Sequence, residues 1–156
     1  MCEPVCMTTK PTYDDVNLIL RLYETRREDK MRAAREWFAQ NFKYRTMEEF
    51  NRGCPPGSSM NAYARMVLGY WDMAASLVTT DAIDADAFRA AHGEIFATFG
   101  KIQPLLAELR AASGEPDFCR HVEAVVTGAP DGNAILTRRR EALRAAAKSR
   151  GATAGA

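Results

Sequence analysis

No run of the roughly 18 apolar residues that a membrane-crossing helix needs occurs in this chain. The opening stretch MCEPVCMTTKP carries neither a basic region nor an apolar core, so no secretory signal is expected there. A cytoplasmic protein with free thiols follows, because a reducing compartment disfavours disulfides among four cysteines, Cys2, Cys6, Cys54 and Cys119. Histidine is scarce, with His92 and His121 alone, and neither belongs to an H-E-x-x-H or E-x-x-H pattern. No zinc site is expected. H-x-E occurs at His92–Glu94 and His121–Glu123, but without the P-C-x-x-C that completes a zinc deaminase. The R-x4-H spacing of helical nucleases is missing too. Neither G-x-x-x-x-G-K-[ST] nor G-x-G-x-x-G is present, so nothing cradles a phosphate. No metal and no cofactor are expected.

What is present is ordinary globular material: 156 residues, 47% hydrophobic and 26% charged, enough for one domain with a real core. The net charge of +1 gives no global pull toward nucleic acid. That charge is uneven. The stretch 134–156 holds six cations (Arg138, Arg139, Arg140, Arg144, Lys148, Arg150) against Glu141, which makes it +5 and leaves −4 for the remainder.

Helical spacing dominates the pattern, and no alternating strand is found. Residues 1–11 read as a loose arm. Thr12 or Asp14 caps a first helix on which Val16, Ile19, Leu20 and Tyr23, then Met31, Ala34, Trp37, Phe38 and Phe42, form one stripe. This predicts a single long helix, irregular near Arg27. Thr46 with Glu49 forms a capping box before a short helix that Gly53-Cys54-Pro55-Pro56-Gly57 stops. Met60–Val78 is the clearest helix. Met60, Tyr63, Val67, Tyr70, Trp71, Ala74, Leu77 and Val78 share one broad face, which marks a central helix. Asn61, Arg65, Asp72 and Ser76 form its narrow polar strip.

The next helix carries a seam of Phe88, His92, Ile95, Phe99, Ile102, Leu106 and Leu109, suited to bundle packing against the central helix. Pro104 should kink or break it between Gly100 and Pro104. Pro116 opens a short helix through Phe118, Val122, Val125 and Val126. A basic, alanine-rich helix ends the chain, with residues 151–156 disordered. The reading is an all-α, single-domain bundle of five to six helices over 12–128, followed by a basic segment over 129–156.

The candidate ligand-binding residues are Tyr63, Tyr70, Trp71, Asp72 and His92. The aromatic rings suit the wall of a pocket between helices, and equally a plain core. Asp72 or Arg65 would take the buried tyrosine hydroxyls. His92 sits on the seam, where a core histidine and a catalytic one look alike. Nucleic acid, if bound, would meet Arg138, Arg139, Arg140 and Arg144.

Leu22-Tyr23-Glu24, Arg32-Ala-Ala-Arg35-Glu-Trp-Phe38, Tyr70-Trp71-Asp72, Ile83-Asp84 and Phe99-Gly-Lys-Ile-Gln-Pro104-Leu resemble an uncharacterised bacterial helical domain of unknown function, over about Leu18 to Val126. In many relatives of that kind a membrane helix precedes the domain, and this chain lacks one. The resemblance implies a helical fold, no established activity, and a structural ion pair between Arg35 and Asp72. Three readings follow: a non-enzymatic interaction or scaffold module, dimeric through the basic C-terminal helix; a small-ligand sensor; or a nucleic-acid-associated regulator.

Overall fold

Thr12 begins the first helix by reciprocal capping. Its hydroxyl accepts the backbone N–H of Asp15 at 3.2 Å, and the Asp15 carboxylate accepts the Thr12 backbone N–H at 2.6 Å. A computed structural model describes residues 10–153, with side chains over 10–142, 144 and 145. Among these residues there are nine helices and no strand. They are α1 (Tyr13–Thr25), α2 (Asp29–Asn41), α3 (Met47–Gly53), α4 (Ser59–Thr79), α5 (Ala85–Ala91), α6 (Glu94–Ile102), α7 (Leu106–Ser113), α8 (Arg120–Thr127) and α9 (Gly132–Thr153).

The all-α class stands, while the count of five to six helices is corrected by three breaks. The first long helix divides at Arg26–Glu28, where the Glu28 side chain caps α2 by accepting from Met31 N at 3.0 Å. Arg27 therefore does not lie on a continuous inner face. It is exposed, with its guanidinium 5.5 Å from the Tyr23 ring centre. The His92 seam divides twice, at His92–Gly93 and at Gln103–Leu105 just beyond Ile102. The second break is the one expected from Pro104. The seam itself survives both, because Phe88, His92, Ile95, Phe99, Ile102 and Leu106 are all buried.

Capping accounts for most starts. Ser58 and Asp84 cap α4 and α5 through N–H groups three residues on. At α3 half of the expected box forms: Thr46 accepts from Glu49 N, but Glu49 accepts from Arg45 N instead of Thr46 N. Gly114 closes α7 at φ 71°, the left-handed conformation glycine tolerates. Gly132 opens α9 where no side chain fits, since a Cβ there would lie 2.0 Å from the Val126 carbonyl oxygen. The C-terminal stretch corrects the expectation of disorder as far as Thr153, which is helical; 154–156 lie outside the described residues, as do Cys2 and Cys6.

Helix α4 is central, with Val67, Trp71 and Ala74 fully buried. Of its expected neighbours, the second half of the first long helix is in place as α2, while the His92–Leu109 seam is not a chief neighbour. It packs chiefly between α2 and α8, while α6 lies against α8 and α9. Met60, at the start of its supposed inner face, is 41% exposed. Lys101 of α6 fastens the end of α2, donating to the carbonyls of Phe38 (3.0 Å), Ala39 (2.5 Å) and Phe42 (3.2 Å). A cation on these orphan carbonyls complements the helix dipole.

Candidate functional site

Three places gather the residues that bear chemistry. The first lies under the α1–α2 link. Arg35 of α2 reaches Glu94 in the first turn of α6 with a bidentate pair, Nε to Oε1 at 2.8 Å and Nη2 to Oε2. Its third arm donates to the Arg26 carbonyl at 3.1 Å, and Arg26 itself stands 3.6 Å from Glu94. The hydrogen bond to Glu94 raises the Arg35 pKa further. The expected pairing of Arg35 with Asp72 is thus corrected. Glu94 lies nearer the α1–α2 link, and Asp72 is engaged elsewhere.

Below this pair, Tyr70 donates its hydroxyl to the Leu22 carbonyl at 2.6 Å, so neither Asp72 nor Arg65 is its partner. Burial pushes the Tyr70 phenol up to about 12. Trp71 packs edge-on to Tyr70 with centroids 5.1 Å apart, and His92 lies 6.0 Å from Trp71 and 4.9 Å from Phe88. His92 is 1% exposed, and neither its ring nitrogens nor Trp71 Nε1 has a protein hydrogen-bond partner. Burial, helped by the Arg26 charge and opposed by Glu94, holds the imidazole down at about 4. A general base wants a pKa near the working pH and an open path to substrate. His92 has a pKa far below neutrality and is sealed among aromatic rings.

The second place is the outer side of α4. Cys119 precedes α8 at φ 56° and offers no side-chain cap. Asp72 supplies the cap from α4, its Oδ1 accepting from His121 N at 3.0 Å and Val122 N at 3.1 Å. A carboxylate at a helix N-terminus answers both the orphan N–H groups and the dipole. An open groove of about 670 Å³ runs beside it, lined among others by Met73, Ser76, Pro116, Phe118 and His121. Arg120 donates to His121 Nε2 at 3.3 Å, so Nδ1 carries the proton toward Thr79 Oγ1, 2.7 Å away. Cys119 is buried and its thiol is pushed up to about 12, chiefly by desolvation, which makes it a poor nucleophile. Among the described residues no group of three or more histidine, cysteine or acidic side chains is placed to hold a metal.

Of the five nominated residues, Tyr70, Trp71 and His92 therefore come together. Asp72 faces the opposite groove, and Tyr63 is half-buried against Trp37 at 6.1 Å. The groove is lined by Asp72 and by none of the other four. On α9, Arg138, Arg139, Arg140 and Arg144 are exposed. Two of them touch the body: Arg139 donates to the Gly93 carbonyl at 3.2 Å, and Arg140 to the Gln103 side chain.

The third place is one where sequence reasoning set Val16, Leu20 and Tyr23 on an inner stripe and gave Tyr13 no part. On α1, Tyr13 is 81% exposed, Leu20 53%, Val16 47% and Tyr23 43%. Their spacing of three, four and three puts all four on one outward stripe. The opposite side holds the helix down. Leu22 is buried there, Tyr70 bonds its carbonyl, and Asp15 accepts from Asp84 N at 2.8 Å. The 3-4-3 interval was visible in the sequence; its outward direction was not.

No helix among the described residues is long and apolar enough to cross a membrane. A family model described as a domain of unknown function (DUF4760) matches residues 11–128. No curated protein and no solved structure matches the chain.

Proposed function

We propose, starting from the fact that this chain belongs to the family described as a domain of unknown function (DUF4760) across residues 11–128, that it is a non-enzymatic protein-interaction module docking through the outer face of α1. The observation that carries this reading is the stripe of Tyr13, Val16, Leu20 and Tyr23, four large apolar side chains left in water on one helix. Scattered apolar residues on a surface need no explanation, but a contiguous patch does. Tyrosine and arginine are favoured at the centres of protein interfaces. Here the Arg26 and Arg27 guanidinium groups lie 5.0 and 5.5 Å from the Tyr23 ring centre.

The chemistry elsewhere supports the same reading. His92, Arg35, Glu94 and Asp72 each serve a packing, pairing or capping contact. The earlier placement of a dimer contact on the basic C-terminal helix has less behind it, since α9 combines exposed cations with an engagement of Arg139 and Arg140 on its own chain.

Site-specific photo-crosslinking in cells tests the reading. A photoreactive residue at position 20 should give a protein adduct of defined mass, and one at exposed Arg65 on α4 should give none. Equal labelling from both positions, or none from position 20, removes the support for α1 as a docking face.

A further inference from the structure

Resting on that reading, we propose that the partner of α1 is the α1 of a second copy of this chain, packed antiparallel. The intervals between Tyr13, Val16, Leu20 and Tyr23 read three, four, three in either direction. A half-turn about an axis level with Leu18 therefore brings Tyr13 against Tyr23 of the second copy and Val16 against Leu20 of the second copy. A closed two-fold interface requires this self-complementarity, because each contact must recur with the partners exchanged. The 3-4 interval is also that of a two-helix seam crossing at about 20°.

The charges select the antiparallel sense. Exposed Asp14 lies in the first turn of α1 and exposed Arg27 just past its end, while Asp15 and Arg26 are engaged within the chain by Thr12, Asp84 and Glu94. Antiparallel packing sets the acidic end of each helix beside the basic end of the other. Parallel packing sets like beside like. The helix dipoles favour the same choice.

The exposed area is modest. Two tyrosines, a leucine and a valine, each about half exposed or more, offer an interface on the order of 1,000 Å² in total. That lies at the lower edge of specific association, so the pair should form and dissolve with concentration in the micromolar range instead of being permanent.

The test uses the full chain, purified, with mass measured by light scattering during size exclusion over a range of concentrations. The wild type should move from one chain mass toward two as concentration rises. Val16→Glu and Leu20→Lys should each stay at one chain mass, since each sets a charge against an apolar side chain twice in the symmetric pair. An equimolar mixture of the two should regain the doubled mass, because one contact becomes Glu against Lys and the other remains leucine against valine. Parallel packing predicts no such rescue. Both positions are exposed, so the thermal midpoint of each variant should equal that of the wild type; should either unfold, Tyr13→Glu mixed with Tyr23→Lys makes the same test at the outer contacts. A wild type that keeps one chain mass throughout overturns self-association. In that case an adduct of a different mass from position 20 in cells leaves the docking face standing with another partner, and no adduct removes both. Failure of the mixture to recover overturns the antiparallel register.

Discussion

Acidification should weaken this fold through one residue, His92. Its imidazole is sealed between Trp71 and Phe88, with Arg26 adding its charge from the α1–α2 link and Glu94 opposing from α6. The folded-state pKa of about 4 lies below the ordinary 6.5, so the unfolded chain takes up the proton first as pH falls. The neutral imidazole therefore costs nothing above pH 6.5, and stability drains away as pH descends from 6.5 toward 4. With about 1.4 kcal/mol for each pH unit between the two values, roughly 2 kcal/mol is gone by pH 5 and about 3 kcal/mol by pH 4. Against a total of about 5–15 kcal/mol for a domain, that is a large fraction.

Urea unfolding at pH 8.0, 6.5 and 5.0 measures it directly. Stopping at pH 5 keeps Asp15 and Glu28 out of the comparison. Their pKa values are lowered by hydrogen bonds from Thr12 and from Met31 respectively, so their contributions are lost mainly below about pH 4 to 4.5. His92→Phe keeps a ring of similar size in the aromatic box and removes the proton site, so its stability should change little between pH 8 and pH 5. Equal losses in wild type and His92→Phe over that range would refute the assignment.

Asp72→Ala should lower stability by about 1–2 kcal/mol, because α8 loses the acceptor for two N–H groups and has no cap of its own; denaturant midpoints read this, and Asp72→Asn should recover part of it. Glu94→Ala should cost about 2–4 kcal/mol, since Arg35 stays half-buried without its carboxylate, and a loss below about 0.5 kcal/mol in urea unfolding would show the pair to be ornamental. Tyr70→Phe should cost about 1–2 kcal/mol by leaving the Leu22 carbonyl without its hydroxyl donor, with hydrogen exchange rising selectively at the end of α1.

Helical class and most helix boundaries were legible because caps and breakers act locally. Thr12, Thr46 and Pro104 each did what their chemistry dictates within a few residues. The seam from Phe88 to Leu106 was legible as well, even though the backbone breaks twice along it, because burial follows the direction of side chains and not the continuity of the ladder. What was not legible was which neighbour each face meets. Helix α1 carries Leu18 and Leu22 on one side and Tyr13, Val16, Leu20 and Tyr23 on the other, and periodicity reports that apolar stripes exist without saying which one faces inward. Arg35 and Glu94 are 59 residues apart, and Asp72 is 49 from His121, so their pairings depend on packing that no local pattern encodes. The candidate site divided for the same reason. Tyr70 and Trp71 turn toward His92, while Asp72, the next residue along α4, turns to the opposite groove.

The central claim, that the outer stripe of α1 docks against the α1 of a second copy, is tested most directly on its own tyrosines. Fluorotyrosine incorporated at all five positions gives one fluorine resonance each for Tyr13, Tyr23, Tyr44, Tyr63 and Tyr70. Over a concentration series of the purified chain, the Tyr13 and Tyr23 resonances should shift together along one binding curve, while the other three stay fixed. Fixed resonances for Tyr13 and Tyr23, or shifts confined to Tyr63, would contradict it.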